Sequence, residues 1–168
     1  GEDEQNSTEI NRNFDGIEFR PYVWNNYWGG GREDMVYKFA NIGYNVVMSN
    51  SSAFYFDMTD DLDPENYGLS WSGIVNYKDS WLTEPLNVYS KTYLDSPYKK
   101  YKNPNAVLLD EKMTDNFLGV QGQMWTETVR DEGIFDELMY PNLIFLAEKA
   151  WSQQDKWTED LLNPEIDN

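Results

Sequence analysis

The sequence predicts an α/β fold with parallel strands, and three observations predict it. Residues 16–49 read as strand, helix and strand with only a short turn at Gly43, and strands joined through a helix in this way must run parallel. A third strand-like run, Leu118 to Glu127, is followed by a helical run from Asp136 onward. The 168 residues amount to about one domain, enough for one core or for part of a larger one.

The elements follow in order. Residues 16–24 read as a strand, although Pro21 lacks an N–H and argues against a central position unless it faces an end or a bulge. Asn25 to Gly31 is a glycine-rich loop. Glu33 and Asp34 then suit the positive end of a helix whose apolar face is Met35, Val36, Phe39, Ala40 and Ile42, with Gly43 in the C-terminal capping position. Asn45 to Ser49 is a short buried strand. From Asn50 to about Asn116 the chain is rich in Asp, Asn, Tyr, Pro and Ser, a length of loop that usually serves function, with local helix expected around Trp81 to Tyr93. In the last helical run Pro141 restarts the helix at a first-turn position, and Ile144, Ala147, Ala150 and Trp151 recur at helical spacing. Residues 1–15 look like a disordered or linker-like start, 16–152 the folded body, and 153–168 a tail or the start of a linker.

Charge and composition exclude whole classes of function. Against 30 Asp and Glu stand 13 Lys and Arg, and a formal charge of -17 repels nucleic-acid phosphates and anionic lipid alike. No apolar run approaches the roughly 20 residues of a membrane span, so no membrane insertion is expected. With no Cys and no His, the chain cannot build a thiolate or imidazole metal site or a His-based triad, and neither metal nor cofactor is expected. The acidic cluster Asp57, Asp60, Asp61, Asp63 and Glu65 lacks the spacing and the glycine of a calcium loop and reads as a solvated turn. Seven Trp, 12 Tyr and 8 Phe are interleaved with carboxylates and amides, a mixture that suits sugars.

On the third strand, Gln121, Gln123, Trp125 and Glu127 share one face and Val120, Met124 and Thr126 the other. Spacing alone favours a solvated edge strand with one stray tryptophan. The same spacing places Tyr55 beside Asp57. Each pair joins one aromatic to one carboxylate, a set able to hold a sugar ring by its apolar face and its hydroxyls at once. Taken singly, Trp24, Tyr55 and Trp71 read more readily as packing residues, as do Trp28, Trp81, Trp151 and Trp157.

The order of these motifs is more specific than any one of them. Tyr22-Val23-Trp24-Asn25-Asn26, then Val46 to Asn50 leading to Tyr55-Phe56-Asp57, Asp63-Pro64-Glu65 with Trp71, Gln121 to Glu127, and Tyr140-Pro141 with Ala147-Glu148-Lys149-Ala150-Trp151 together resemble the C-terminal part of the family 20 glycoside hydrolases. These are the β-N-acetylhexosaminidases, and the chitobiase branch looks most similar. The resemblance runs from about Ile17 to Ser152. It implies the C-terminal portion, about three βα units, of a (β/α)8 TIM barrel with long strand-to-helix loops and an active site at the C-terminal ends of the strands.

The family's adjacent Asp-Glu pair, in a His-x-Gly-Gly-Asp-Glu stretch, has no counterpart in a chain without histidine. The resemblance therefore implies that the catalytic pair lies outside this chain, that the chain alone is inactive, and that its partner is the missing N-terminal part of the same domain.

In this family the substrate's own acetamido oxygen attacks the anomeric carbon, so no protein nucleophile is needed. By resemblance, Tyr55 is the catalytic tyrosine that donates to that oxygen. Trp24 and Trp125 wall the acetamido methyl and the ring, Glu127 and Asp57 accept from ring hydroxyls, and Trp71 stacks the next sugar. The implied substrate is an oligosaccharide carrying a terminal N-acetylhexosamine, and the implied location is the periplasm, the cell surface or outside the cell. The alternative function is a carbohydrate-binding or structural module that keeps only the aromatic pocket. Three βα units leave strand edges open, to be covered by the long loop or by self-association.

Overall fold

A computed structural model of the chain describes residues 19–93 and 97–152. The start of the first expected strand, the N-terminal linker-like stretch, the tail after 152 and Trp157 lie outside them. The chain divides into two compact units, one comprising Gly1–Ser51 and Glu84–Gln121, the other Ser52–Thr83 and Gly122–Asn168.

The first unit holds a three-stranded sheet of β1 (Tyr22–Val23), β2 (Val46–Met48) and β3 (Phe117–Val120), in the order β1-β2-β3. Both pairings are parallel, as the strand–helix–strand reading requires. Among the described residues β1 spans only Tyr22–Val23, much less than the run from 16 to 24. Pro21 contributes a carbonyl in place of the N–H it lacks, accepting from the Val47 N–H at 3.0 Å. The ladder between β2 and β3 shifts register between Val46 and Val47, opposite Gly119, whose φ of 140° is open to glycine alone.

Helix α1 (Met35–Asn41) connects β1 to β2 and buries Met35, Val36, Phe39 and Ala40 as expected from spacing, together with Tyr37, whereas Ile42 falls at its C-terminal cap and is only half-buried. Gly43 ends it with φ 101° and an N–H bonded to the Ala40 carbonyl at 3.0 Å. Asp34 does not cap its own helix. One oxygen accepts from the Val107 N–H and the other pairs with Lys38, each at 2.8 Å.

The stretch expected as loop is tied to α1 by side chains. Asn41 donates to the Leu108 carbonyl and accepts from the Asp110 N–H, and Asn116 donates to the Ala40 carbonyl. The buried Tyr37 hydroxyl donates to the Pro85 carbonyl and accepts from the Val88 N–H, both at 2.8 Å. Trp28 lies 5.9, 5.3 and 5.5 Å from the rings of Tyr89, Tyr98 and Tyr101, in keeping with its reading as a packing residue. Short 3-10 turns at Val88–Tyr93, Pro97–Tyr101 and Glu111–Asn116 complete this unit.

The second unit is helical, led into by α2 (Ser51–Phe54) and built of α3 (Tyr77–Leu82), α4 (Glu132–Met139) and α5 (Asn142–Trp151). Asn76 and Asp79 form a reciprocal capping box at the start of α3. The helix expected around Trp81 to Tyr93 thus begins earlier and stops at Leu82, because Pro85 has no N–H to give and disfavours helix at the residue before it. Helix α3 packs on α5 through Tyr77 stacked on Phe145 at 4.9 Å and Trp81 edge-on to Phe145 at 5.8 Å, with the Lys149 Nζ 5.2 Å above the Trp81 ring.

Two expectations for the last helical run are corrected. It starts at Glu132, where Asp131 accepts from the Ile134 N–H, and breaks at Tyr140–Pro141 before α5. Helix α5 buries Asn142, Leu146 and Lys149, whereas Ile144 is 59% and Trp151 88% exposed, so Trp151 is not a packing residue of this chain. The helical period was legible; which stripe meets a neighbour depends on where α3 lies. No described helix is long and apolar enough to cross a membrane.

Candidate functional site

Tyr55, Asp57, Trp71, Trp125 and Glu127 all belong to the second unit, and Trp24 to the first. The expected strand from Leu118 to Glu127 ends at Val120. Beyond it the chain makes a single parallel bridge between Gln123 and Tyr55, with the Phe56 N–H on the Gln123 carbonyl at 2.8 Å and the Gln123 N–H on the Phe54 carbonyl at 2.9 Å. Gly122 allows this approach, since a Cβ there would fall 2.5 Å from the Phe56 ring and 2.7 Å from Leu146. Thr126 and Glu127 lie in a turn, so strand alternation does not bring Trp125 and Glu127 to one face. Tyr55 to Met58 is likewise a turn between two isolated bridges, not an extended strand.

Tyr55, Trp71 and Trp125 of the second unit nevertheless come together. Tyr55 is buried with Met58 and Val75. Trp71 meets the Tyr55 ring edge to face at 5.7 Å and 83°, and Trp125 lies 6.3 Å away tilted by 60°. Both indoles are about half exposed, 46% and 51%, which leaves apolar ring surface for a ligand at the rim of a buried phenol. Burial raises the Tyr55 hydroxyl above its ordinary range; a side-chain hydrogen bond with Trp125 opposes this, and the nearby Asp57 charge adds to it. The phenol is held as a neutral donor.

Asp57 is 1% exposed, and neither of its carboxylate oxygens has a hydrogen-bond partner of ordinary geometry among the described residues. Burial pushes its carboxyl up to about 6; its own N–H acts against this, the Glu127 charge adds to it, and the Trp125 N–H lowers it. A carboxylate enclosed in this way is short of donors, and the hydroxyls of a bound ligand would supply them. Exposed Glu127 adds a second acceptor. The loop beyond satisfies itself: Asp61 accepts from the Leu62 and Asp63 N–H groups, and Asp63 from that of Glu65.

Trp24, at the end of β1, is 48% exposed. Close to it in sequence, Asn26 is 1% exposed with both ends of its amide unpaired among the described residues. Nothing in its spacing singled out that asparagine.

The glycosyl hydrolase family 20 catalytic domain matches residues 9–154. The chain belongs to glycosyl hydrolase family 20. Among family members, a β-hexosaminidase of Vibrio vulnificus is 34% identical over 143 residues, which is 84% of this chain and 16% of that protein. The N,N'-diacetylchitobiase of Vibrio harveyi is 27% identical over 137 residues, 80% of this chain and 15% of its own length. This family 20 chain therefore spans about a sixth of the curated relatives it matches.

Solved structures agree on the fold. A family 20 exo-β-N-acetylglucosaminidase from Vibrio harveyi superposes with a TM-score of 0.63 at 21% identity, over 96% of this chain and 21% of that one. The Streptomyces plicatus N-acetyl-β-hexosaminidase gives 0.60 at 24% identity, over 85% and 24%.

Proposed function

We propose that the chain is the C-terminal portion of the catalytic domain of a β-N-acetylhexosaminidase that removes terminal N-acetylhexosamine from oligosaccharides. The observation that carries this reading is the gathering of Tyr55, Trp71 and Trp125 beside the unsatisfied Asp57 carboxylate, in a chain of family 20. In this reading the three-stranded parallel sheet is part of a (β/α)8 barrel, and residues outside this chain cover the apolar face of α5 around Ile144 and Trp151.

The mechanism is substrate-assisted and retaining. The Tyr55 hydroxyl donates to the acetamido oxygen as that oxygen attacks the anomeric carbon. Trp125 walls the acetamido group and the ring, Trp71 stacks the following sugar, and Glu127 and Asp57 accept from ring hydroxyls. Proton donation to the leaving oxygen and orientation of the acetamido group fall to an acidic pair supplied by the rest of the domain.

The test compares this chain with a longer protein that carries the upstream sequence, both assayed on an aryl β-N-acetylglucosaminide. The longer protein should release the aryl group and the 168-residue chain should stay at the buffer blank. Turnover by the purified short chain would show that the acid chemistry lies within it.

A further inference from the structure

Trp71 is carried by a turn with one buried corner. The turn runs from Ser70 to Gly73 and is closed by the Gly73 N–H on the Ser70 carbonyl at 3.1 Å, with Gly73 at φ 105°. Ser70, Trp71 and Gly73 are exposed, whereas Ser72 between them is buried. The Ser72 carbonyl accepts from the hydroxyl of Ser52 at 2.9 Å, and Ser52 is itself buried.

Ser52 belongs to α2 and precedes Tyr55 by three residues, so this bond ties the segment that carries the phenol to the turn that carries the indole. Helix α2 is a firm support, because its Ala53 carbonyl accepts from the buried Ser80 hydroxyl of α3. Other contacts fix the chain on either side of the turn. Leu69 bridges Met58 and donates its N–H to the Asp57 carbonyl at 2.8 Å, and the Val75 N–H donates to the Thr59 carbonyl at 2.9 Å. The Ser52 hydroxyl acts within the turn, on the residue directly after Trp71. A buried hydrogen bond at that point restrains the indole more closely than contacts on the flanks can.

We propose that Ser52 is a positioning residue for the sugar that follows the scissile bond: through the Ser72 carbonyl it holds the Trp71 ring 5.7 Å from the Tyr55 ring at 83°. The inference rests on the reading of Trp71 as the stacking surface for that sugar. Because Ser52 acts through Trp71, its loss matters for substrates with a second ring and little for those without one.

Two measurements test this. In the 168-residue chain labelled with 5-fluorotryptophan, Trp71→Phe and Trp81→Phe identify the fluorine resonances of those two indoles. Ser52→Ala should shift the Trp71 resonance and leave that of Trp81, buried against α5, in place. In the longer protein, Ser52→Ala should raise KM for a β-linked disaccharide of N-acetylglucosamine about three- to tenfold, the worth of one hydrogen bond, and KM for the methyl glycoside by less than about twofold. In a Trp71→Ala background the same substitution should have no further effect. An unmoved Trp71 resonance, equal changes on both substrates, or an undiminished effect of Ser52→Ala without Trp71 would each overturn the proposal. Should Trp71→Ala alone affect both substrates equally while Ser52→Ala still shifts the resonance, the stacking role given to Trp71 would fall, and with it the link from Ser52 to the second sugar.

Discussion

The ring of Tyr55 stands 6.3 Å from the ring of Trp125, tilted by 60°, where a one-residue bridge between Tyr55 and Gln123 brings two distant stretches of sequence together. The bridge holds the phenol next to the indole, and Gly122 permits it. The consequences reach both stability and catalysis.

Gly122→Ala should destabilise the second unit by roughly 1–3 kcal/mol, because the new methyl would meet the Phe56 ring at 2.5 Å and Leu146 at 2.7 Å, both buried. A urea titration followed by tryptophan fluorescence measures this. An unchanged midpoint would mean that the ring moves aside freely.

Asp57 gives stability a pH dependence of defined sign. Its folded-state carboxyl is raised to about 6 from an ordinary 3.8, so the folded chain binds the proton more tightly than the unfolded chain. Stability from this group is greatest below about pH 4, declines as the pH rises to about 6, and stays lowered above that by about 2–3 kcal/mol. Asp57→Asn should therefore raise the melting temperature at neutral pH and leave it little changed near pH 4. The same gain at both pH values would contradict the assignment.

Tyr37→Phe should cost roughly 1–3 kcal/mol by stranding the Pro85 carbonyl and the Val88 N–H, both buried. Hydrogen exchange should speed up at Val88 in particular, which a general loss of packing would not single out.

In the complete enzyme, Tyr55→Phe should lower kcat more than it raises KM, by on the order of a hundredfold, since a donor to the attacking acetamido oxygen acts most strongly as charge moves. Steady-state kinetics on one aryl glycoside decides it. A change confined to KM would place the hydroxyl in ground-state binding only.

Glu127→Gln should alter both parameters and shift the preference between GlcNAc and GalNAc substrates, because a charge-assisted bond to a ring hydroxyl depends on that hydroxyl's configuration. Paired kinetics on the two sugars is the measurement. An unchanged ratio would remove Glu127 from the sugar hydroxyls.

Periodicity in the sequence alone determined helix α1, with its buried face and its stop at Gly43, the parallel pairing of β1 with β2, and the existence of a final helical run. Each of these depends on local spacing, and α1 carries its whole apolar stripe within a few turns. The ordered motifs also placed Tyr55, Asp57, Trp71, Trp125 and Glu127 in one list before any of them could be placed in space.

Tertiary structure decided how they meet. Alternation along an extended strand does not describe this stretch: Trp125 and Glu127 lie at and beyond a turn, and a single bridge joins Gln123 to Tyr55. Only packing could decide that α5 buries Leu146 and Lys149 while Ile144 and Trp151 stay exposed, because a helix with apolar residues on two faces does not say which of them meets α3. The burial of Asp57 and Asn26 was equally invisible, since a polar side chain is enclosed by neighbours from distant parts of the chain and no local period marks it.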